Sequence, residues 1–231
     1  MWEEMVIDKS MSSPEAAVAD IFDGASVMIG GFGAAGMPDR LIEALIAQGA
    51  RDLTVINNNA GNGDAGLAAL LREKRVRKII CSFPRQSDSH HFDALYRAGE
   101  IELELVPQGN LAARIHAAGA GLGAIFTPTG YGTLLAEGKE IREIDGRNHV
   151  LEYPIHADFA LIKAQSGDRW GNLVYRKTAR NFGPIMAMAA ACTIAQVNEI
   201  VPLGALDPET VVTPGIFVQR VVMTMASAAA A

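Results

Sequence analysis

The stretch Asp23-Gly24-Ala25-Ser26-Val27-Met28-Ile29-Gly30-Gly31-Phe32-Gly33-Ala34-Ala35-Gly36-Met37-Pro38 decides how the chain is read. Asp23-Gly24 is a turn signal. Ser26–Ile29 is a short apolar run, which predicts a buried strand. Gly30–Gly36 is a glycine-rich turn, and Pro38 opens a helix. The apolar positions of that helix, Leu41, Ile42, Leu45 and Ile46, fall on one face, and Gly49 suits the position just past its end. Leu53–Ile56 reads as a second strand, running into Asn57-Asn58-Asn59 and then Gly61 and Gly63. A strand, a turn, a helix and a second strand form the unit from which parallel sheets are built.

The same texture extends on both sides. Upstream, Ser12-Ser13-Pro14-Glu15 is a helix start with a Ser cap and an early Pro, and the helix is expected to reach about Phe22. Downstream, Leu67–Leu71 reads as helix and Val76–Cys81 as strand. Phe92–Ala98 is a short helix closed by Gly99. In Ile101–Val106 the apolar Ile101, Leu103 and Leu105 alternate with Glu102 and Glu104, the pattern of a half-exposed strand. Asn110–Ala118 is helical, and Ala124–Gly132 is an apolar strand running into a turn. From about Glu137 the texture changes. Ile141–Tyr153 reads as a hairpin turning at Asp145-Gly146. Ala157–Ala164 is a strand, Gly183-Pro184 starts a helix through Ala191, and Thr193–Val197 is a further strand. The expectation is one α/β domain over residues 1–225, a mainly parallel sheet flanked by helices, followed by a small-residue tail at 226–231 with no reason to be ordered.

Composition agrees with a folded globular chain. Of 231 residues, 49% are hydrophobic and 20% charged, which excludes a disordered chain. A net charge of −6 argues against a sequence-independent grip on nucleic acid. The densest basic run is Arg72, Lys74, Arg75, Arg77 and Lys78. Cys81 and Cys192 lie far apart with no C-x-x-C, so neither a disulfide framework nor a thiolate zinc site is expected. No signal peptide is visible at Met1-Trp2-Glu3-Glu4. The most apolar stretch, Ile185–Val197, is too short and too interrupted to span a bilayer. A cytoplasmic protein with no membrane and no nucleic-acid partner is expected. The chain has 23 glycines and 6% aromatics, which suits close backbone approach to a phosphate-bearing ligand.

Gly31-Phe32-Gly33-Ala34-Ala35-Gly36 fits G-x-G-x-x-G between a strand and a helix. Glycines there let the backbone approach a phosphate, and free N–H groups at a helix start attract anions. A dinucleotide site also needs an acid at the end of the second strand to hold the ribose. That strand ends in Asn57-Asn58-Asn59, and Asp52 sits at its wrong end. A nicotinamide-dependent oxidoreductase is therefore disfavoured but stays a rival. So does a glycine turn needed for packing alone.

The longer string Asp23-Gly24-x-x-Val27-Met28-Ile29-Gly30-Gly31-Phe32-x-x-x-Gly36-x-Pro38 resembles the signature of family I coenzyme A transferases, in the subunit or half that comes first in the two-part enzymes. Val106-Pro107-Gln108-Gly109-Asn110-Leu111-Ala112, Phe126-Thr127-Pro128-Thr129-Gly130-Tyr131-Gly132-Thr133 and Ala179-Arg180-Asn181-Phe182 resemble further stretches of that family, in family order. Cys81-Ser82-Phe83-Pro84-Arg85-Gln86-Ser87-Asp88-Ser89 is most similar to members acting on 3-oxoadipate and less so to those acting on acetoacetate. The resemblance implies a CoA-transferase (NagB/RpiA-like) fold. It implies transfer of CoA from succinyl-CoA to a dicarboxylic 3-oxo acid in bacterial breakdown of aromatic acids. It also implies that CoA is a carried substrate, with no tightly bound cofactor and no metal.

The family's nucleophile is a glutamate in a Ser-Glu-Asn-Gly motif, which this chain lacks. Glu100, Glu102, Glu104, Glu137, Glu140 and Glu143 sit in settings that suit solvated surface charges. The resemblance therefore implies a separate B subunit that supplies the glutamate, in a heterodimer or heterotetramer, and no catalytic nucleophile here. For this chain the candidate CoA contacts are Gly30, Gly31, Phe32, Gly33, Ala34, Ala35 and Gly36. Gln108, after a Pro at a strand end, is the candidate contact to the reacting acyl centre, against a turn-stabilising role. Asn58, with Asn57 and Asn59, is a candidate pocket residue or a turn former. Thr127 and Thr129 order a turn or donate to substrate, and Arg180-Asn181 pair internally or lie at a subunit contact. Arg85 is the candidate cation for a second substrate carboxylate, with Ser82, Ser87 and Ser89 to assist; a plain surface arginine competes. His90 and His91 are adjacent, an arrangement expected to share a ligand face poorly, and His116, His149 and His156 show no metal spacing. Besides the oxidoreductase, rivals are a transferase for another 3-oxo acid such as acetoacetate and a sensor of a phosphorylated ligand.

Overall fold

A computed structural model describes residues 7–224. The expected tail at 226–231 lies outside the described residues. Helix α1 (Pro14–Val18) leads to strand β1 (Ser26–Ile29), α2 (Asp39–Gln48) and β2 (Leu53–Ile56). Then come α3 (Leu67–Arg72), β3 (Val76–Cys81), α4 (His90–Arg97), β4 (Glu102–Leu105) and α5 (Gln108–Gly119). A small excursion holds β5 (Ile125–Thr127), β6 (Ile141–Ile144) and β7 (Arg147–Glu152). The chain closes with β8 (Ala157–Asp168), β9 (Leu173–Val174), α6 (Gly183–Ala189), β10 (Ala190–Val201) and β11 (Arg220–Met223).

The main sheet runs β11-β10-β8-β1-β2-β3-β4, every pairing along this path parallel, with β9 antiparallel beside β8. Successive side chains of a strand face opposite layers. Val27 and Ile29 of β1 join one core with Leu41, Ile42 and Leu45 of α2, Leu70 of α3 and Phe92 of α4. Met28 joins the other, with Ile56, Ile80, Leu111 and Ile115 of α5 and Met186 of α6. The sheet is thus buried on both faces, which is why its central strands read as continuous apolar runs rather than alternating ones. Burying each such side chain is worth about 1.5–3 kcal/mol. The Ser26 N–H and hydroxyl both donate to Asp158, at 2.8 and 2.6 Å, and fix β1 beside β8.

The excursion forms its own antiparallel sheet, β5-β7-β6. Its hairpin turns where expected, with Asp145 and Gly146 both left-handed at φ 52° and 72°, as a tight two-residue turn requires.

Several expectations need correction. Helix α1 stops at Val18 rather than near Phe22: Asp20 beyond it is held by Arg220 through two 2.6 Å contacts, which tie the chain to β11. The alternation in β4 is imperfect. Leu105 is 45% exposed, while Glu104 is drawn inward by Lys78 at 2.9 Å and Arg114 at 3.2 Å. The predicted strand at 124–132 shrinks to Ile125–Thr127. Strand β10 extends well beyond Thr193–Val197 because β8 pairs with it from Ala190↔Ala157 to Val201↔Asp168. The basic run is no free patch: Lys74 meets Glu100 at 2.6 Å, Arg77 meets Glu102 at 3.5 Å, and Lys78 meets Glu102 and Glu104 at 2.9 Å.

Candidate functional site

Because β8, β1, β2, β3 and β4 are parallel neighbours, the loops that leave β1 to β4 gather along one sheet edge, where ligands of open α/β sheets bind. These are the glycine loop Gly30–Gly36, the asparagine loop from Asn57, the loop from Ser82 and the Pro107-Gln108 turn.

The glycine loop is clamped from below. Phe32 and Ala35 close its tip with reciprocal backbone hydrogen bonds of 3.0 and 3.2 Å. The Gly31 N–H donates to Asn181 Oδ1 at 3.2 Å, and Asn181 Nδ2 donates to the carbonyls of Ala35 and Thr178 at 2.9 and 3.0 Å. Gly36 stands at φ +77°, and a Cβ there would lie 2.3 Å from the Ala179 carbonyl oxygen. The last glycine of the pattern therefore exists for close contact with the 3-10 turn Lys177–Arg180. The expectation of free N–H groups at the following helix start is corrected. The Arg40 and Leu41 N–H groups of α2 both donate to the buried Gln196 side chain, at 3.0 and 3.3 Å. With those donors taken from within and Asn57-Asn58-Asn59 in place of an acid at the end of β2, the glycine pattern lacks both halves of a dinucleotide site.

The three asparagines have three different positions. Asn57 Nδ2 donates to the Ile29 carbonyl at 2.5 Å and its Oδ1 accepts from the Asn59 N–H at 2.8 Å, so it splices the ends of β1 and β2. Asn59 is buried, and its Nδ2 has no partner among the described residues. It lines a cavity of about 280 Å³ together with Gly33, Asp39, Gly66 and Gln86. Burial raises the Asp39 carboxyl above the usual carboxylate range, partly countered by the Lys163 charge. Asn58 Oδ1 accepts from Gln108 Nε2 at 2.8 Å and from Ser82 Oγ at 2.9 Å. Asn58 and Gln108, fifty residues apart in sequence, are thus in direct contact. Gln108 is exposed as the first residue of α5 and keeps its second amide hydrogen uncommitted among the described residues. The sequence suggests Ser82 only as a helper of Arg85; its hydroxyl instead braces Asn58. It lies immediately past the end of β3, and that position is the signal that could have found it.

Arg85 is exposed, and its Nε contacts Asp93 Oδ1 at 2.5 Å. Ser87 and Ser89 are committed within the loop, on Asn62 and on the Gln86 N–H and Gly61 carbonyl. The expectation that His90 and His91 diverge is also corrected. Their ring centroids are 3.9 Å apart, and both Nε2 atoms face Asp64 Oδ1, at 3.4 and 2.8 Å. The hydrogen bond that His90 Nδ1–H donates to the Asp88 carboxylate raises the His90 pKa. Thr127 bonds Asn110 at 3.1 Å and receives the Thr129 N–H at 3.2 Å, so this pair orders its turn. Asn110 in turn donates to the buried Glu152, which Lys139 also meets at 2.8 Å. Burial pushes the Cys81 thiol up to about 12, so it stays protonated and is no nucleophile at neutral pH.

This edge offers backbone donors at a glycine loop, a braced amide at Gln108 and a long-armed cation at Arg85. It suits binding and polarising a carbonyl or carboxylate, and it contains no activated nucleophile among the described residues. The family model for coenzyme A transferase matches residues 11–224. The A subunit of a 3-oxoadipate CoA-transferase from Pseudomonas putida is 70% identical over 97% of this chain and 97% of its own length. The protein of the same description from Acinetobacter baylyi is 67% identical over 98% and 99%. An acyl-CoA transferase from E. coli O157:H7, crystallised as a thioester complex with CoA, superposes with a TM-score of 0.80 at 24% identity; the match covers 94% of this chain and 47% of that one.

Proposed function

The chain belongs to the coenzyme A transferase family, and on that premise we propose that it is the first of the two chains of an enzyme moving CoA from succinyl-CoA to 3-oxoadipate. The observation that carries this is the 70% identity spanning 97% of both chains. Its partner is a B subunit bearing the attacking glutamate, and its setting is the cytoplasm, in breakdown of aromatic acids. The missing Ser-Glu-Asn-Gly motif supports the division of labour.

In this scheme the partner's glutamate carboxylate attacks the succinyl thioester. The C–S bond breaks, CoA leaves as its thiolate, and a mixed anhydride remains. The thiolate then attacks the glutamyl carbonyl of the anhydride and expels succinate, leaving an enzyme-glutamyl thioester. The 3-oxoadipate carboxylate repeats the sequence in reverse and departs as the CoA thioester. Every step passes through a tetrahedral oxyanion, which preorganised donors stabilise.

Gln108 is the donor this chain contributes. Asn58 Oδ1 holds one Nε2 hydrogen, and Ser82 fixes Asn58, so the other hydrogen is aimed without searching. Gly30–Gly36 contacts the CoA arm. Arg85 takes the second carboxylate of the 3-oxo acid through the guanidinium edge that Asp93 leaves unused. No metal or redox group is needed for thioester exchange. Co-expression with a B chain tests the reading: succinyl-CoA plus 3-oxoadipate should yield succinate and 3-oxoadipyl-CoA. A complex that accepts acetoacetate and ignores 3-oxoadipate would assign the chain to another 3-oxo acid.

A further inference from the structure

We propose that the basic turn beside the glycine loop, centred on Lys177 and Arg180, binds the phosphate groups of the CoA nucleotide; this rests on the CoA-transferase reading above. The turn and the loop are one unit, since Asn181 bonds Gly31 and Ala35 and Gly36 packs on Ala179. Between them lies an open cavity of about 1010 Å³ lined by Phe32, Ala35, Lys177, Thr178, Arg180 and Asn181. That is ample for a nucleotide, since sites for ligands of such size run to about 300–1,000 Å³.

The charge pattern singles this place out. Arg176, Lys177 and Arg180 are all exposed, and none has a carboxylate within 4.0 Å or a side-chain hydrogen bond among the described residues. Arg51 and Arg147 are likewise exposed with no acid within 4.0 Å, but each stands alone; here three such cations fall within 176–180, whereas in the denser run at 72–78 Lys74, Arg77 and Lys78 each sit on a glutamate. Lys163, half-buried and also without an acid within 4.0 Å, lines an adjoining cavity of about 270 Å³ with Arg176 and Lys177. Lys177 is held at φ +51°, a backbone conformation that favours glycine. A side chain is thus kept at a position whose backbone argues against one. CoA carries a pyrophosphate and a 3′-phosphate, and Arg and Lys are the side chains that hold phosphate oxygens by charge-assisted hydrogen bonds. Phe32, 51% exposed on the same cavity, offers a flat apolar face to the adenine or the pantetheine arm.

The test compares two acyl donors in the assembled two-chain enzyme: succinyl-CoA, and succinyl-pantetheine, which lacks every phosphate. Lys177→Ala and Arg180→Ala should each raise KM for succinyl-CoA about tenfold, and the double variant more, with the effect shrinking as salt is raised. KM for succinyl-pantetheine should stay at the parent value, and Arg180→Lys should recover part of the loss. Equal KM increases for both donors would overturn the subsite, as would an unshifted KM for succinyl-CoA. Failure of the double variant to assemble on size-exclusion chromatography would also overturn it, by assigning the turn to the contact between chains. A parent complex that turns over neither donor would instead overturn the transferase reading and the subsite with it.

Discussion

Gly36→Ala and Gly33→Ala make a matched pair that isolates the clamp between the glycine loop and the Lys177–Arg180 turn. Both glycines have positive φ, +77° and +59°, so an alanine at either carries the left-handed penalty of about 1–2 kcal/mol. Their surroundings differ. Nothing lies within 4 Å of a Cβ at Gly33, whereas at Gly36 it meets the Ala179 oxygen at 2.3 Å and Asn181 Nδ2 at 3.0 Å. Restoring ordinary contact requires the two backbones to part by about 1 Å. The Asn181 bonds to Gly31 and Ala35, at 3.2 and 2.9 Å, do not survive that movement. Each is worth about 1 kcal/mol, so Gly36→Ala should cost roughly 2 kcal/mol more than Gly33→Ala. For a chain of this length the gap corresponds to about 4–8 °C in Tm. Urea and thermal unfolding of both variants measure it. Equal destabilisation by the two alanines would refute the claim that Gly36 exists for close approach.

Gln108→Ala should lower kcat by about 10²–10³ while leaving the unfolding midpoint nearly unchanged, because an exposed amide is removed; steady-state kinetics beside a urea titration read both. Arg85→Ala should impair 3-oxoadipate far more than a monocarboxylic 3-oxo acid, and equal losses in kcat/KM would reject its role at the second carboxylate. Glu104 has its own pH signature. Burial pushes its carboxyl up, but Lys78 and Arg114 outweigh burial and hold it below the ordinary value. With the folded pKa the lower one, the ionised carboxylate stabilises the fold above its ordinary pKa, and that stabilisation is lost as pH falls through the folded value. Glu104→Gln should therefore flatten the loss of stability on acidification below the ordinary carboxylate range, as read by urea midpoints.

The central strands were legible because a sheet buried on both faces demands unbroken apolar runs, and Ser26–Ile29, Leu53–Ile56 and Val76–Cys81 are such runs bounded by turn residues. The hairpin at Asp145-Gly146 was legible because two consecutive left-handed residues leave few sequence choices. Strand β11 was not. It is short, and its place beside β10 depends on the parallel register Ile194↔Arg220, which no local pattern encodes. At the site, Gln108 and Asn58 stood out singly, but their meeting required knowing that β2, β3 and β4 are neighbours in that order. Gln196 was missed because a helix capped from a distant strand leaves no trace in the sequence of the helix. The cluster of Asp64 with His90 and His91 was missed for the same reason, since a loop after β2 meets the start of α4 only in the fold.

The proposed reaction requires an attacking acid that this polypeptide does not carry. Incubating the two-chain enzyme with succinyl-CoA and trapping the glutamyl thioester with borohydride or hydroxylamine, followed by mass analysis of each chain, tests this directly. The modified glutamate should appear on the B chain alone, and this chain purified without it should exchange no thioester. A trapped glutamate within residues 1–231, or exchange by this chain unaided, would contradict it.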